Sequence, residues 1–219
     1  MTKKLFFIIY IIIFSRDVLS SELFNYINNI ELTHVIWVEK SSNKLTLIDL
    51  ENKRVVFEEP IAYGIKKGDK RKYGDKKTPE GVYRITDFEN KLKLEKKYGK
   101  SNVERYGEGA FILNYPNEFD KKERKTGNGI WIHGIDSKRN ISDINISLGC
   151  VILNNESLLY LRKKIKSFEK VRVVIVEKNP NEIKNKISNS IMIDKYYFIL
   201  DNGKERFVKK DEKLISKNI

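Results

Sequence analysis

The sequence has one cysteine, Cys150, and two histidines, His34 and His133, among 219 residues. A single cysteine excludes an intrachain disulfide, and no zinc-finger spacing of cysteine and histidine can be drawn. Long apolar runs are also scarce. Beyond Leu5 to Phe14, no stretch is long or apolar enough to span a bilayer. There is no internal repeat and no basic helix interleaved with aromatics, so the excess of Lys and Arg (43 against 30 acidic residues) lacks the form of a nucleic-acid-binding motif. A net charge of +13 suits an anionic polymer or lipid, but the lysines are scattered among Glu and Asp, which reads as general compositional bias.

What is present fits one domain with appendages, and 40% hydrophobic residues are enough for a core. Residues 1–20 carry Lys3 and Lys4, a ten-residue apolar core and the small-residue end Val18-Leu-Ser20, the shape of a secretory signal. The polar Ser15-Arg-Asp17 leaves an uncleaved N-terminal anchor as the alternative. No cysteine follows to carry a lipoprotein anchor. The expected localisation is therefore exported, in the periplasm or cell envelope. There an unpaired thiol is either buried or used.

The pattern predicts a mainly β chain with a few helices, an α+β fold, with a domain over 21–178 and an extension over 179–219. Glu22 to Ile30 reads as a short amphipathic lead. Strands are expected at Val35–Val38, Leu45–Leu50, Val55–Phe57, Val82–Ile85, Ala110–Leu113 and Val171–Val176. Helices are expected over Phe88 to Tyr98 and Glu156 to Phe168. The second is capped by Asn154 or Asn155 and has Leu158, Leu161, Ile165 and Phe168 as its apolar stripe. Gly64 to Gly81 reads as a solvated, charged loop ending in the turn Thr78-Pro-Glu-Gly81. In the extension, Pro180 opens a predicted helix bearing Ile183, Ile187 and Ile191. Tyr196 to Val208 follows as a hairpin around Asn202-Gly203.

The chemistry concentrates between Gly129 and Asn155. Gly129-Ile-Trp-Ile-His133 alternates as a half-buried strand with Trp131 and His133 on one face. A polar span follows, and Ser147-Leu-Gly-Cys150 leads into a second strand start. A free thiol is only a few per cent thiolate at neutral pH, so an imidazole beside it would make it a nucleophile. A buried structural cysteine with an unrelated histidine is the bland alternative. His34 reads as structural or exposed, with no metal-ligand set near it.

His133-Gly134, twelve residues, then Ser147-x-Gly149-Cys150 resembles the signature of the L,D-transpeptidase catalytic domain (YkuD-type family). The Thr78-Pro-Glu-Gly-Val-Tyr83 segment after a lysine-bearing loop and the first strand meander resemble the same family. Tyr115-Pro-Asn117 resembles its YafK-type and helical cell-shape branch. The resemblance implies a mixed β-sandwich with a helix after the cysteine strand, acting on peptidoglycan stem peptides without metal or organic cofactor. Cys150 would be the nucleophile and His133 its base. Gly149 and Cys150 would supply oxyanion N–H donors, Ser147 would orient the loop, and a backbone carbonyl, that of Gly134 or a neighbour, would fix the imidazole tautomer. Arg139, Tyr115 and Trp131 are candidate substrate contacts, with packing the alternative for Tyr115. Leu148 and Ile152 stand where many members carry basic residues. This leaves Arg139, Lys138 or the Lys66-to-Arg71 loop to supply a cation for a substrate carboxylate. An amine acceptor, on a second stem or a protein, gives transpeptidation; water gives L,D-carboxypeptidase trimming. A catalytically weak peptidoglycan-binding protein and a generic Cys–His protease are the other readings.

Overall fold

The computed structural model describes residues 32–177, apart from 53, 137–140 and 142–146, and three strands between 190 and 209. The signal-like segment, the 22–30 lead, Lys138, Arg139 and the first part of the predicted 180s helix lie outside the described residues. Eight strands form one mixed sheet: β1 (His34–Glu39), β2 (Lys44–Asp49), β3 (Arg54–Pro60), β4 (Gly81–Asn90), β5 (Gly109–Leu113), β6 (Trp131–His133), β7 (Val151–Ile152) and β8 (Val171–Val176). Their order is β3-β2-β1-β8-β4-β5-β6-β7. The pairs β1/β8 and β6/β7 are parallel and the rest antiparallel.

β4 makes the sheet curl. Its first residues, Gly81 to Arg84, pair with β8. Beyond a register shift between Ile85 and Asp87, the remainder pairs with β5, and an irregularity of this kind bends and twists a strand. The chain after β3 then meets the far edge. Ala62 exchanges hydrogen bonds with Ile152 (3.1 and 2.8 Å), and Gly64 bridges to Ser147. Residues 61–65 thereby tie the β3 edge to β7, beside the cysteine.

The core fills the inside of this curl. Alternate residues of β1, β2 and β8, such as Ile36, Leu45 and Val173, meet Phe111, Ile132 and Val151 from the other end of the sheet. Helix α4 (Asn155–Lys164) adds Leu158 and Leu161, and Ile165 at its C-cap joins them; all three are fully buried. Each such side chain contributes about 1.5–3 kcal/mol of hydrophobic stabilisation. A second layer covers the outer side of β5 and β6. Helix α1 (Lys91–Tyr98), helix α2 (Lys100–Val103) and a 3₁₀ turn (Glu104–Tyr106) seat Leu94, Val103 and Tyr106 against Ala110 and Trp131. A short helix α3 (Glu118–Lys122) follows β5, with Asn117 and Asp120 forming a reciprocal cap.

Several expectations are corrected. Phe88 to Asn90 belong to β4, because Phe88 pairs with Phe111 and packs its ring against it at a tilt (centroids 4.7 Å), so the helix begins only at Lys91 with Asn90 as its cap. α4 ends at Lys164; Ile165 turns extended, and Phe168 reaches the core from the following turn. Asn154 is its N-cap without a side-chain bond, and Asn155 directs its amide to Glu108 and Ile135 instead. Ile191 lies in strand β9 (Ser190–Ile193), not in a helix. The predicted hairpin is present as β10 (Tyr196–Asp201) and β11 (Lys204–Lys209), paired from Tyr196↔Lys209 to Asp201↔Lys204.

Candidate active site

The loop over 64–81 is only in part the solvated segment its charges suggest: Lys66, Lys67, Arg71, Lys72 and Lys76 are exposed, whereas Lys70 and Thr78 are buried. Lys70 is 3% exposed, and its ammonium donates to Asp75 (2.7 Å) and to the Lys72 carbonyl (3.1 Å). Burial alone would raise the Asp75 carboxyl, but Lys70 and the N–H groups of Lys72, Arg71 and Lys77 bring it down to about 2. Lys40 reaches Glu80 (2.7 Å), and buried Lys125 bridges Asp69 (2.8 Å) and Asp120 (3.1 Å). Ion pairs hold the inner residues of the loop, and this inner part forms a wall.

That wall holds the cysteine loop. Thr78 Oγ1 accepts from Gly64 N–H (2.8 Å) and donates to the Gly149 carbonyl (2.9 Å). Gly149 has φ +140°, and a Cβ there would lie 2.8 Å from the Lys77 carbonyl oxygen, so glycine is required by conformation and by space. Ser147 Oγ donates to the Cys150 carbonyl (2.6 Å) and accepts the Gly149 N–H (3.0 Å). This corrects one expectation: the Gly149 N–H is taken by Ser147 and does not face an oxyanion.

Parallel pairing of Ile132 with Val151 sets Cys150 level with Trp131, two residues from His133 along the same face of β6. His133 is 6% exposed. Its Nδ1 lies 2.6 Å from the Gly134 carbonyl, an acceptor only, so Nδ1 carries the proton and Nε2 is the basic nitrogen. Burial lowers the imidazole pKa to about 4, opposed by that hydrogen bond. Cys150 keeps part of its surface open, yet the surrounding protein pushes the thiol up to about 11, with the Trp131 N–H and the Lys70 charge pulling the other way. Both shifts favour the neutral pair. The thiol donates to the Gly129 carbonyl at 3.3 Å, and no Cys150–His133 hydrogen bond is formed.

Tyr106 is the site residue that sequence reasoning missed. Its ring meets His133 edge-on (centroids 5.3 Å) and packs on Trp131 (5.0 Å). Burial raises its phenol pKa, as does the charge of the Cys150 thiolate, which places it within electrostatic reach of the sulfur. Its one signal was a tyrosine directly before Gly107-Glu-Gly109. Trp131 lies in this aromatic layer, between Tyr98 and Tyr106. Tyr115 does not join the site: it is 5% exposed, packs on Tyr83 and donates its hydroxyl to the Thr126 carbonyl. Arg139 lies outside the described residues. Leu148 is 72% exposed beside Cys150, Ile152 is buried, and Lys70 is the cation of the 66–71 loop whose charge reaches the thiol. His34, the first residue of β1, is hydrogen-bonded to the preceding Thr33, and among the described residues no group of three or more His, Cys, Asp or Glu is placed to hold a metal ion.

The curled mixed sheet agrees with the family comparison. The model of the L,D-transpeptidase catalytic domain (YkuD) matches residues 33–176, which include all eight strands of the sheet. The chain belongs to this family. Comparison with curated proteins finds no match. Among solved structures, the helical cell shape determining protein Pgp2 of Campylobacter jejuni aligns at 29% identity and TM-score 0.54, over 70% of this chain and 54% of its own. Its K307A mutant aligns at 30% identity and TM-score 0.54, over 69% and 51%. Bd1075 of Bdellovibrio bacteriovorus aligns at 31% identity and TM-score 0.54, over 67% and 49%. This L,D-transpeptidase-family chain thus spans about half the length of those structures.

Proposed function

We propose that the protein is an exported L,D-transpeptidase that acts on peptidoglycan stem peptides through a Cys150 thioester. The observation that carries this reading is the committed histidine: Nδ1–H is spent on Gly134, which leaves Nε2 as a base on the face that Cys150 shares. Substrate binding brings a carbonyl to the sulfur. The thiol proton passes to Nε2 as the Sγ–C bond forms, and the oxyanion is met by the Cys150 N–H. The C–N bond to the terminal D-amino acid then breaks, and the imidazolium protonates the departing amine. An amine of a second stem or of a protein resolves the thioester, and the sulfur regains its proton. No step needs a metal or organic cofactor. Likeness to a helical cell shape determining protein supports a role in cell shape.

Hydrolysis of the same thioester, L,D-carboxypeptidase trimming, is the second reading. It is favoured by the solvent-open surface that Cys150 retains. The test is incubation of wild-type and Cys150→Ala protein with tetrapeptide-stem muropeptides, followed by mass spectrometry. Loss of the terminal D-residue only with Cys150 present supports the enzyme, and the product mass separates amine from water as acceptor. Intact substrate with folded wild-type protein that sediments with peptidoglycan replaces the proposal with a wall-binding protein.

A further inference from the structure

Asn155 is the first residue of α4, yet its side chain makes three hydrogen bonds and none to its own helix. Oδ1 accepts from the N–H groups of Glu108 (3.1 Å) and Ile135 (3.2 Å), and Nδ2 donates to the Ile135 carbonyl (2.9 Å). One amide therefore joins two chain segments: the turn Gly107–Glu108, which follows Tyr106, and Gly134–Ile135, which follows His133. The junction leaves no spare room. A Cβ on Gly107 or on Gly134 would overlap Asn155 Oδ1, and one on Gly134 would also lie 3.1 Å from the Tyr106 carbonyl oxygen. Gly134 N–H donates to the Gly109 carbonyl (3.1 Å), which closes the junction from the β5 side.

Both contacts that orient the imidazole come from these two segments. The Gly134 carbonyl holds Nδ1–H, and the Tyr106 ring stands against the imidazole edge-on. We infer that Asn155 is a positioning residue for His133, holding the Gly134 carbonyl and the Tyr106 turn in the one arrangement that keeps the proton on Nδ1 and Nε2 basic. This rests on the reading of His133 as the base. An amide is the short side chain that offers an acceptor and a donor on one rigid plane; aspartate lacks the donor. The role also explains why the helix is left without a side-chain cap: Asn155 is used across the site, and Asn154 makes no cap bond.

The test reads the tautomer directly. With two histidines in the chain, long-range ¹H–¹⁵N NMR of the labelled protein, with His34→Gln for assignment, resolves His133. Wild type is expected to show the Nδ1–H form alone. Asn155→Ala is expected to populate both tautomers and, on tetrapeptide-stem muropeptides, to lose about 10- to 100-fold in kcat with KM within about twofold. Asn154→Ala should change neither. A folded Asn155→Ala protein with an unchanged tautomer overturns the inference whatever its rate. If the alanine variant does not fold, Asn155→Asp, which keeps the acceptor and loses the donor, is read in the same way. If wild type shows no turnover, the enzymatic reading fails, while the tautomer ratio still decides the role of Asn155.

Discussion

Cys150 and His133 rest as thiol and neutral imidazole, because partial enclosure by low-dielectric protein penalises both charged forms. The thiol at about 11 makes a kinetic prediction. Alkylation of Cys150 by iodoacetamide, followed by mass spectrometry, should rise about tenfold per pH unit from pH 6 to 9 without a plateau, since thiolate is the reacting form. A plateau near pH 7 would mean a resting ion pair. The imidazole makes a stability prediction. Above pH 6.5 neither the folded nor the unfolded state protonates His133. Between 6.5 and about 4 only the unfolded state binds the proton, so stability falls as pH falls through this window. Compared with His133→Gln, wild type should lose roughly 3 kcal/mol across it in denaturant titrations. Equal slopes for the two proteins would contradict the buried neutral imidazole.

At the scale of elements, the cysteine loop is held by the 64–81 wall rather than by its own short strand, since β7 has only two residues. Thr78 is the rivet, with one hydroxyl serving Gly64 and Gly149. Thr78→Val keeps the shape and leaves a buried N–H and a buried carbonyl unpaired. It should cost about 1–3 kcal/mol in urea unfolding and reduce Cys150-dependent turnover further than that loss explains. A variant with wild-type stability and turnover would remove Thr78 from the architecture of the site. The turn at Thr78-Pro-Glu-Gly81 was legible from residue types, but its purpose was not. Nothing local to those residues names Gly149, 71 positions away, as the acceptor. Likewise Phe88 to Asn90 are locally compatible with a helix, and only pairing with β5 selects the strand.

For the whole molecule, the ion-pair network under the wall ties β1, the 64–81 loop and the segment after β5 into one unit through Lys40–Glu80 and Lys125–Asp69–Asp120. Lys125→Met should destabilise the protein by about 3–5 kcal/mol at pH 8, because two carboxylates are left in a site that Lys125 neutralised. The loss should shrink toward pH 5, since burial raises the Asp120 carboxyl and eases its protonation. Denaturant unfolding at the two pH values measures both effects, and a loss that does not depend on pH would rule out this electrostatic origin.

The strand pattern and the helix after the cysteine were legible in the sequence, and a short motif marked Cys150, His133, Ser147, Gly149 and Gly134 as candidates, because two-residue and helical periodicities and motifs are local properties of the chain. Tertiary contacts were needed to show that the charged loop has a buried inner side, that Gly149 N–H is already taken, that Tyr115 is core while Tyr106 stands against His133, and that Asn155 joins the segments after Tyr106 and His133. Each of these depends on which distant segments the curl of the sheet brings within a few ångströms, and hydrogen bonds and desolvation act only at that range.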